Sequence, residues 1–135
     1  MVSRIMRTPV TVIGPDTSVR AAASLMREFG IGALPVCENM RPIGIVTDRD
    51  IVTRWVSKIA VDSPVAEIMT KAIVTCQSDQ TVECAAHSMA NAQVRRLVVI
   101  DRARKVVGII TLGDIANDAD ETLAGETLGE IVETR

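Results

Sequence analysis

This chain of 135 residues repeats itself, and the repetition limits its fold more than any other feature. The stretch Gly44-Ile45-Val46-Thr47-Asp48-Arg49-Asp50 returns as Gly108-Ile109-Ile110-Thr111-Leu112-Gly113-Asp114. Upstream the echo runs at an offset of 63, pairing Ile5-Met6 with Ile68-Met69, Asp16 with Asp79, Val19 with Val82, Met26 with Met89 and Leu34 with Leu97. One added residue raises the offset to 64, which pairs Gly44 with Gly108, Thr47 with Thr111 and Asp50 with Asp114. A unit of about sixty residues buries its own sheet poorly, so the two copies are expected to pack face to face.

Local patterns predict the order strand, helix, strand, strand, helix in each copy. Val10-Thr11-Val12-Ile13 reads as a short strand closed by Gly14-Pro15-Asp16. Ser18 then caps a helix whose Val19, Ala22, Ala23 and Met26 share one face, and Gly30 stops it. Leu34-Pro35-Val36-Cys37 and Ile43-Gly44-Ile45-Val46 are the next strands, and a second helix is expected from Asp48 to Ile59. The second copy offers Ile73-Val74-Thr75, a helix opened by Thr81 with Val82, Ala85, Ala86 and Met89 inward, Leu97–Ile100, Val106–Ile110 and a helix from Leu112. Pro64 suits the first turn of a short helix ending near Met69. The expected divisions are 1–60 and 65–118 for the copies, a linker at 61–64 and an acidic tail at 119–135. Leu123, Leu128, Ile131 and Val132 recur at helical spacing in that tail, which either packs on the body or a partner, or frays.

The repeated segment carries the chemistry. In each copy a buried strand runs into a helix that Thr47 or Thr111 can open, with Asp50 or Asp114 three residues on. A helix start favours phosphate, and a carboxylate can accept two hydrogen bonds from a vicinal diol, which together suggest a ribonucleotide. Thr-x-x-Asp is also an ordinary capping arrangement, and both readings stand at this point.

Composition narrows the alternatives. The chain is 47% hydrophobic, yet Phe29 and Trp55 are its only aromatic residues, so the core is aliphatic and stacking platforms for single-stranded nucleic acid are lacking. Residues 116–135 carry a net charge of −5 and the remainder +3, a mildly basic body that suits a small anion better than DNA. No apolar run approaches a membrane span, Arg4 and Arg7 interrupt the first residues, and Cys37, Cys76 and Cys84 form no disulfide framework. The expectation is a cytoplasmic protein with no membrane contact. His87 is the sole histidine, and neither a catalytic triad nor a four-ligand metal site can be assembled around it. No enzyme and no metal are therefore expected. Cys37 and Cys84 read as small packing groups, and Arg95-Arg96 as a solvated pair or a dimer salt bridge.

The doubled pattern resembles a tandem pair of CBS (cystathionine β-synthase-type) domains, and the first copy most resembles the stand-alone bacterial pairs of the stress-response kind. The residues that carry this are Ile5-Met6 and Ile68-Met69, Gly30-Ile31-Gly32-Ala33-Leu34-Pro35-Val36 with its echo Gln93-Val94-Arg95-Arg96-Leu97-Val98-Val99, and the two Gly-h-h-Thr-x-x-Asp segments, where h is apolar. The resemblance implies an α/β (α+β) fold of two β-α-β-β-α repeats packed sheet to sheet about a pseudo-twofold axis, with two clefts between them. It also implies a homodimer and an adenosine-containing regulatory ligand, namely AMP, ADP, ATP or S-adenosylmethionine, with no other cofactor.

Carried onto this chain, the resemblance puts Asp114 on the ribose hydroxyls, Thr111 near the phosphate, Ile109 under the sugar or base, and Arg95 and Arg96 against phosphates. Arg7, Val10, Thr11, Ile31 and Gly32 would line the adenine side. The second cleft would use Asp50 and Thr47 with Ile45, Thr70, Val74, Val94 and Arg95. There Ala33 takes the place of Arg96, so a less charged ligand or none is expected. The resulting function is a regulatory module that passes ligand binding to an unknown protein partner. The competing reading is a ligand-free, stress-related interaction protein acting through its dimer surface or acidic tail.

Overall fold

The computed structural model describes residues 1–58, 61–118 and 120–131. It divides into two compact units that do not follow chain order. One is Thr11–Ile73, and the other joins Met1–Val10 to Val74–Arg135.

In the Thr11–Ile73 unit, α1 (Val19–Phe29) starts where Ser18 Oγ accepts from the Ala21 N–H and ends at Gly30, whose φ of 63° is left-handed. Its apolar face buries Val19, Ala22 and Met26. Strands β1 (Ala33–Glu38) and β2 (Arg41–Thr47) form an antiparallel hairpin with Glu38 opposite Arg41. Asn39 and Met40 turn it with φ of 52° and 63°, the mirror-image turn that fits the strand twist and favours glycine at its second position. Met40→Gly should therefore stabilise the chain by up to about 1 kcal/mol, read as a higher denaturation midpoint. After β2, α2 (Asp48–Asp50) continues as a π-helical stretch, Ile51–Val56. The helix expected there is thus confirmed as far as Val56 in altered form, and Ile59 lies outside the described residues. Val65–Glu67 is a 3₁₀ turn. Leu34, Val36, Val46, Ile51, Val65, Ile68 and Met69 pack with α1 into one core.

The strand expected at Val10–Ile13 is reduced to one parallel bridge between Ile13 and Val36. Its equivalent, β3 (Thr75–Gln77), lies later than Ile73–Thr75 and pairs in parallel with Val98, Val99 and Ile100. Two hydrogen bonds separate the copies. The Val98 N–H donates to the Val74 carbonyl at 3.3 Å, whereas Pro35, the equivalent residue, has no N–H to give. The Ser78 N–H donates to the Ile100 carbonyl at 3.1 Å and extends the ladder, whereas Pro15, the equivalent residue, has no N–H to give.

In the other unit, a 3₁₀ turn at Val2–Arg4 precedes the excursion, and the chain returns as β3, α3 (Val82–Ala92), β4 (Arg96–Ile100), β5 (Val106–Thr111), α4 (Leu112–Asp118) and α5 (Glu121–Glu130). The sheet order is β3-β4-β5, with β4 and β5 antiparallel. Thr81 Oγ caps α3 through the Cys84 N–H. The tail is helical over Glu121–Glu130: Asp120 caps α5, which packs along α3 and α4 and buries Ala124 and Thr127. Leu128 stays exposed, and Val132 lies outside the described residues. Val2, Met89, Leu97, Val99, Ile110 and Ile115 form the core of this unit.

Each repeated glycine has a steric reason. A Cβ on Gly108 would stand 2.7 Å from Met6 Sδ and 3.0 Å from the Arg7 carbonyl oxygen. A Cβ on Gly44 would stand 2.6 Å from Met69 Sδ and 3.0 Å from the Thr70 carbonyl oxygen. The Ile-Met segment preceding each repeat therefore lies directly against a motif glycine. Met6 lies against the second copy and Met69 against the first.

Candidate functional site

Both repeated Thr-x-x-Asp segments form complete capping boxes. The Asp50 N–H donates to Thr47 Oγ1 at 3.1 Å, and the Thr47 N–H donates to Asp50 Oδ2 at 3.0 Å. In the second copy the Asp114 N–H donates to Thr111 Oγ1 at 3.1 Å and the Thr111 N–H to Asp114 Oδ2 at 2.9 Å. Both aspartates are buried, at 7% and 4% exposure. In each, one carboxylate oxygen is committed to the fold and the other is directed to side chains.

Those side chains differ between the copies. Arg7 Nε donates to Asp114 Oδ1 at 3.0 Å, and the backbone of Arg7 is bridged to Ile109. Asp50 Oδ1 has the Thr70 hydroxyl at 3.4 Å and Arg54 Nε at 3.7 Å, while Thr70 is bridged to Ile45. Arg54 also donates through Nη1 to the Ile68 carbonyl at 3.2 Å.

Beside the second box lies an open cavity of about 520 Å³ between the start of β4, the end of β5, α4 and α5. Arg95, Arg96, Thr111, Gly113, Glu121 and Gly125 are among the residues that line it. Arg96 makes no ion pair among the described residues. Asp114 is not on the cavity wall, so Thr111 alone connects the cavity to the box.

The residues chosen from sequence thus fall as follows. Arg7, Val10, Val74, Val94, Arg95, Arg96, Ile109, Thr111 and Asp114 lie in one unit, and Thr11, Ile31, Gly32, Ile45, Thr47, Asp50 and Thr70 in the other. Ile31 and Val94 pack against the cores of their own units. The Gly32 carbonyl accepts from the Asp48 N–H at 3.0 Å, just before the first box. Sequence reasoning missed the contact of Arg7 with Asp114, the role of Arg54 and the cavity wall formed by Glu121. The offset of 63 pairs Arg7 with Thr70 but does not say which aspartate either one meets.

The other reactive groups are scattered. Among the described residues no three His, Cys, Asp or Glu side chains gather as a metal site would need, and no helix is long and apolar enough to cross a membrane. Cys37 and Cys76 are buried, which pushes each thiol up to about 11. Cys84, expected to pack, is exposed, because α3 turns Ala85, Ala86 and Met89 inward and leaves position 84 outside. In the folded protein at pH 8, a disulfide reagent should modify one thiol rapidly, and Cys84→Ser should remove that phase. A rise of about two units leaves Cys37 and Cys76 with roughly a hundredth of the thiolate of an ordinary cysteine.

Known proteins resemble this chain in sequence and in fold. A family profile described as the CBS domain matches residues 2–57 and 65–120. The CBS domain-containing protein YhcV of Bacillus subtilis (strain 168) is 37% identical over 128 residues, which cover 93% of this chain and 91% of that protein. The solved CBS domain pair of protein MJ0100, in complex with 5′-methylthioadenosine and S-adenosyl-L-methionine, matches with a TM-score of 0.78 at 28% identity, covering 93% of this chain and 97% of that one. CBSX2 in complex with AMP matches with a TM-score of 0.73 at 29% identity, covering 87% of this chain and 94% of that one. Two matched copies, each ending in a capping box beside a docked Ile-Met segment, account for almost the whole sequence: the chain belongs to the CBS-domain family, as a tandem pair.

Proposed function

We propose that this chain is a regulatory binding module, not a catalyst, whose ligand contains an adenosine ribose. The observation that carries the reading is the pair of buried aspartates, each fixed by a capping box through one oxygen and directing the other to side-chain donors. The ribose diol would take Asp114 in the second repeat, with Thr111, Arg95 and Arg96 toward the phosphates and Ile109 beside the sugar. Arg7 and Val10 belong to the same proposed site. In the first repeat Asp50 would take that role, with Thr47, Ile45 and Thr70 around it and a less charged ligand. The adenosyl ligands of MJ0100 and CBSX2 support this class of ligand.

The module is proposed to act in the cytoplasm as a homodimer that signals to a protein partner. Signalling requires only that the ligand bind two arrangements of the module with different affinity. Titration calorimetry with AMP, ADP, ATP and S-adenosylmethionine tests the reading. Binding of at least one is expected, weakened when a 2′-deoxy analogue removes one hydroxyl. Absence of binding by all four would transfer the function to the competing reading, an interaction protein. One observation favours that alternative: Val52 and Val56, a turn apart on the π-helical stretch, are 60% and 55% exposed.

A further inference from the structure

Arg7 and Thr70 occupy equivalent places, and each is held by paired backbone hydrogen bonds to a strand, Arg7 to Ile109 and Thr70 to Ile45. They present different groups to the aspartate. Thr70 brings a neutral hydroxyl to Asp50, and the nearest ion-pair nitrogen there stands at 3.7 Å. Arg7 brings a guanidinium N–H to within 3.0 Å of Asp114 Oδ1, the oxygen that the capping box leaves over. The Asp114 side chain is only 6% exposed, whereas that of Arg7 is 64% exposed. A diol arriving at Asp114 therefore meets an acceptor already engaged in a charge-assisted bond, made by a side chain that is itself free to swing in solvent.

We infer that Arg7 is a displaceable occupant of the diol position in the second repeat, and that it restricts the site to ligands carrying a vicinal diol and an anionic group together. The inference rests on the proposed ligand-binding function and refines it. A neutral nucleoside can take Oδ1 only by breaking the ion pair, and it offers the released cation nothing. A nucleotide makes the same exchange and supplies phosphate oxygens, to which a guanidinium is well matched. The backbone of Arg7 stays fixed on Ile109, so the exchange needs only rotations of its side chain. Thr70 strands no cation when its hydroxyl turns away, and Arg54, 3.7 Å from Asp50 Oδ1, keeps its bond to the Ile68 carbonyl, so the first repeat carries no such requirement.

The test compares AMP with adenosine, which share base and diol and differ in the phosphate. Both are titrated by calorimetry into the chain carrying Asp50→Asn, so that the second repeat is read alone, and into the same chain with Arg7→Thr or Arg7→Lys added. AMP should bind at least roughly tenfold tighter than adenosine when Arg7 is present, the scale of one charge-assisted bond. Arg7→Thr should weaken AMP and strengthen adenosine, narrowing the preference by at least about threefold to what Arg95 and Arg96 supply, and Arg7→Lys should retain most of it. A merely structural role for Arg7 would weaken both ligands alike, and that result overturns the inference. An AMP preference untouched by Arg7→Thr overturns it too, while leaving the proposed function standing. Failure of every variant and of the unaltered chain to bind either ligand or S-adenosylmethionine overturns both.

Discussion

Asp114→Asn is expected to lower affinity for an adenosine-containing ligand by roughly tenfold to a hundredfold while costing the fold about 1 kcal/mol or less. The asparagine amide oxygen can still accept from the Thr111 N–H, so the capping box survives on that side. What disappears is the charged acceptor that would hold a diol and that now holds Arg7. Asp114→Ala is a poorer probe of binding. It strands the Thr111 N–H and removes the ion pair, so about 1–3 kcal/mol of stability goes with the affinity and the two effects mix. Calorimetry and denaturant unfolding on both variants separate them. Undiminished affinity in Asp114→Asn would remove the ribose role from this residue.

The largest effect on stability outside the aliphatic cores is expected at Gly108. Gly108→Val should destabilise by about 2–3 kcal/mol, because overfilling a close contact is relieved only by moving what lies there. Met6 Sδ, 2.7 Å from the added Cβ, is the end of a flexible side chain and can yield. The Arg7 carbonyl oxygen at 3.0 Å cannot, since it accepts from the Ile109 N–H in the bridge that ties the first residues down. The variant should lose its denaturation midpoint and expose residues 1–10 to a protease. A midpoint unchanged within about 0.5 kcal/mol would mean that the glycine is not there to admit this segment.

Why the motif glycine repeats illustrates how far the sequence could be read. The offsets pair Gly44 with Gly108 and Ile5-Met6 with Ile68-Met69, yet they do not say that each Ile-Met lies against a glycine, nor that Met6 lies against the second copy. A repeat makes the two possible partners look alike, and only packing chooses between them. The helices were legible because their signals are local: Ser18, Thr81 and Gly30 act on neighbouring backbone. The first strand was not, because apolar residues at 10–13 resemble those of any strand while the missing N–H groups of Pro35 and Pro15 decide how far the ladder can run in either direction. At the site, the capping reading and the diol reading were both open from Thr-x-x-Asp. The boxes at Asp50 and Asp114 establish the first and leave one oxygen each for the second. The Arg7 contact spans 107 residues of sequence, beyond the reach of any spacing argument.

The joining of Met1–Val10 to Val74–Arg135 has a consequence for synthesis. The unit at Thr11–Ile73 is one uninterrupted stretch and can close as soon as it clears the ribosome. Arg7 must wait for Asp114, 107 residues behind it. At translation speeds of about 5–20 residues per second, that wait is roughly 5–20 seconds. Throughout it Val2, Ile5 and Met6, apolar residues of the later core, have nothing of their own to bury them. Residues 1–10 are made before Thr11–Ile73 and settle into place after it.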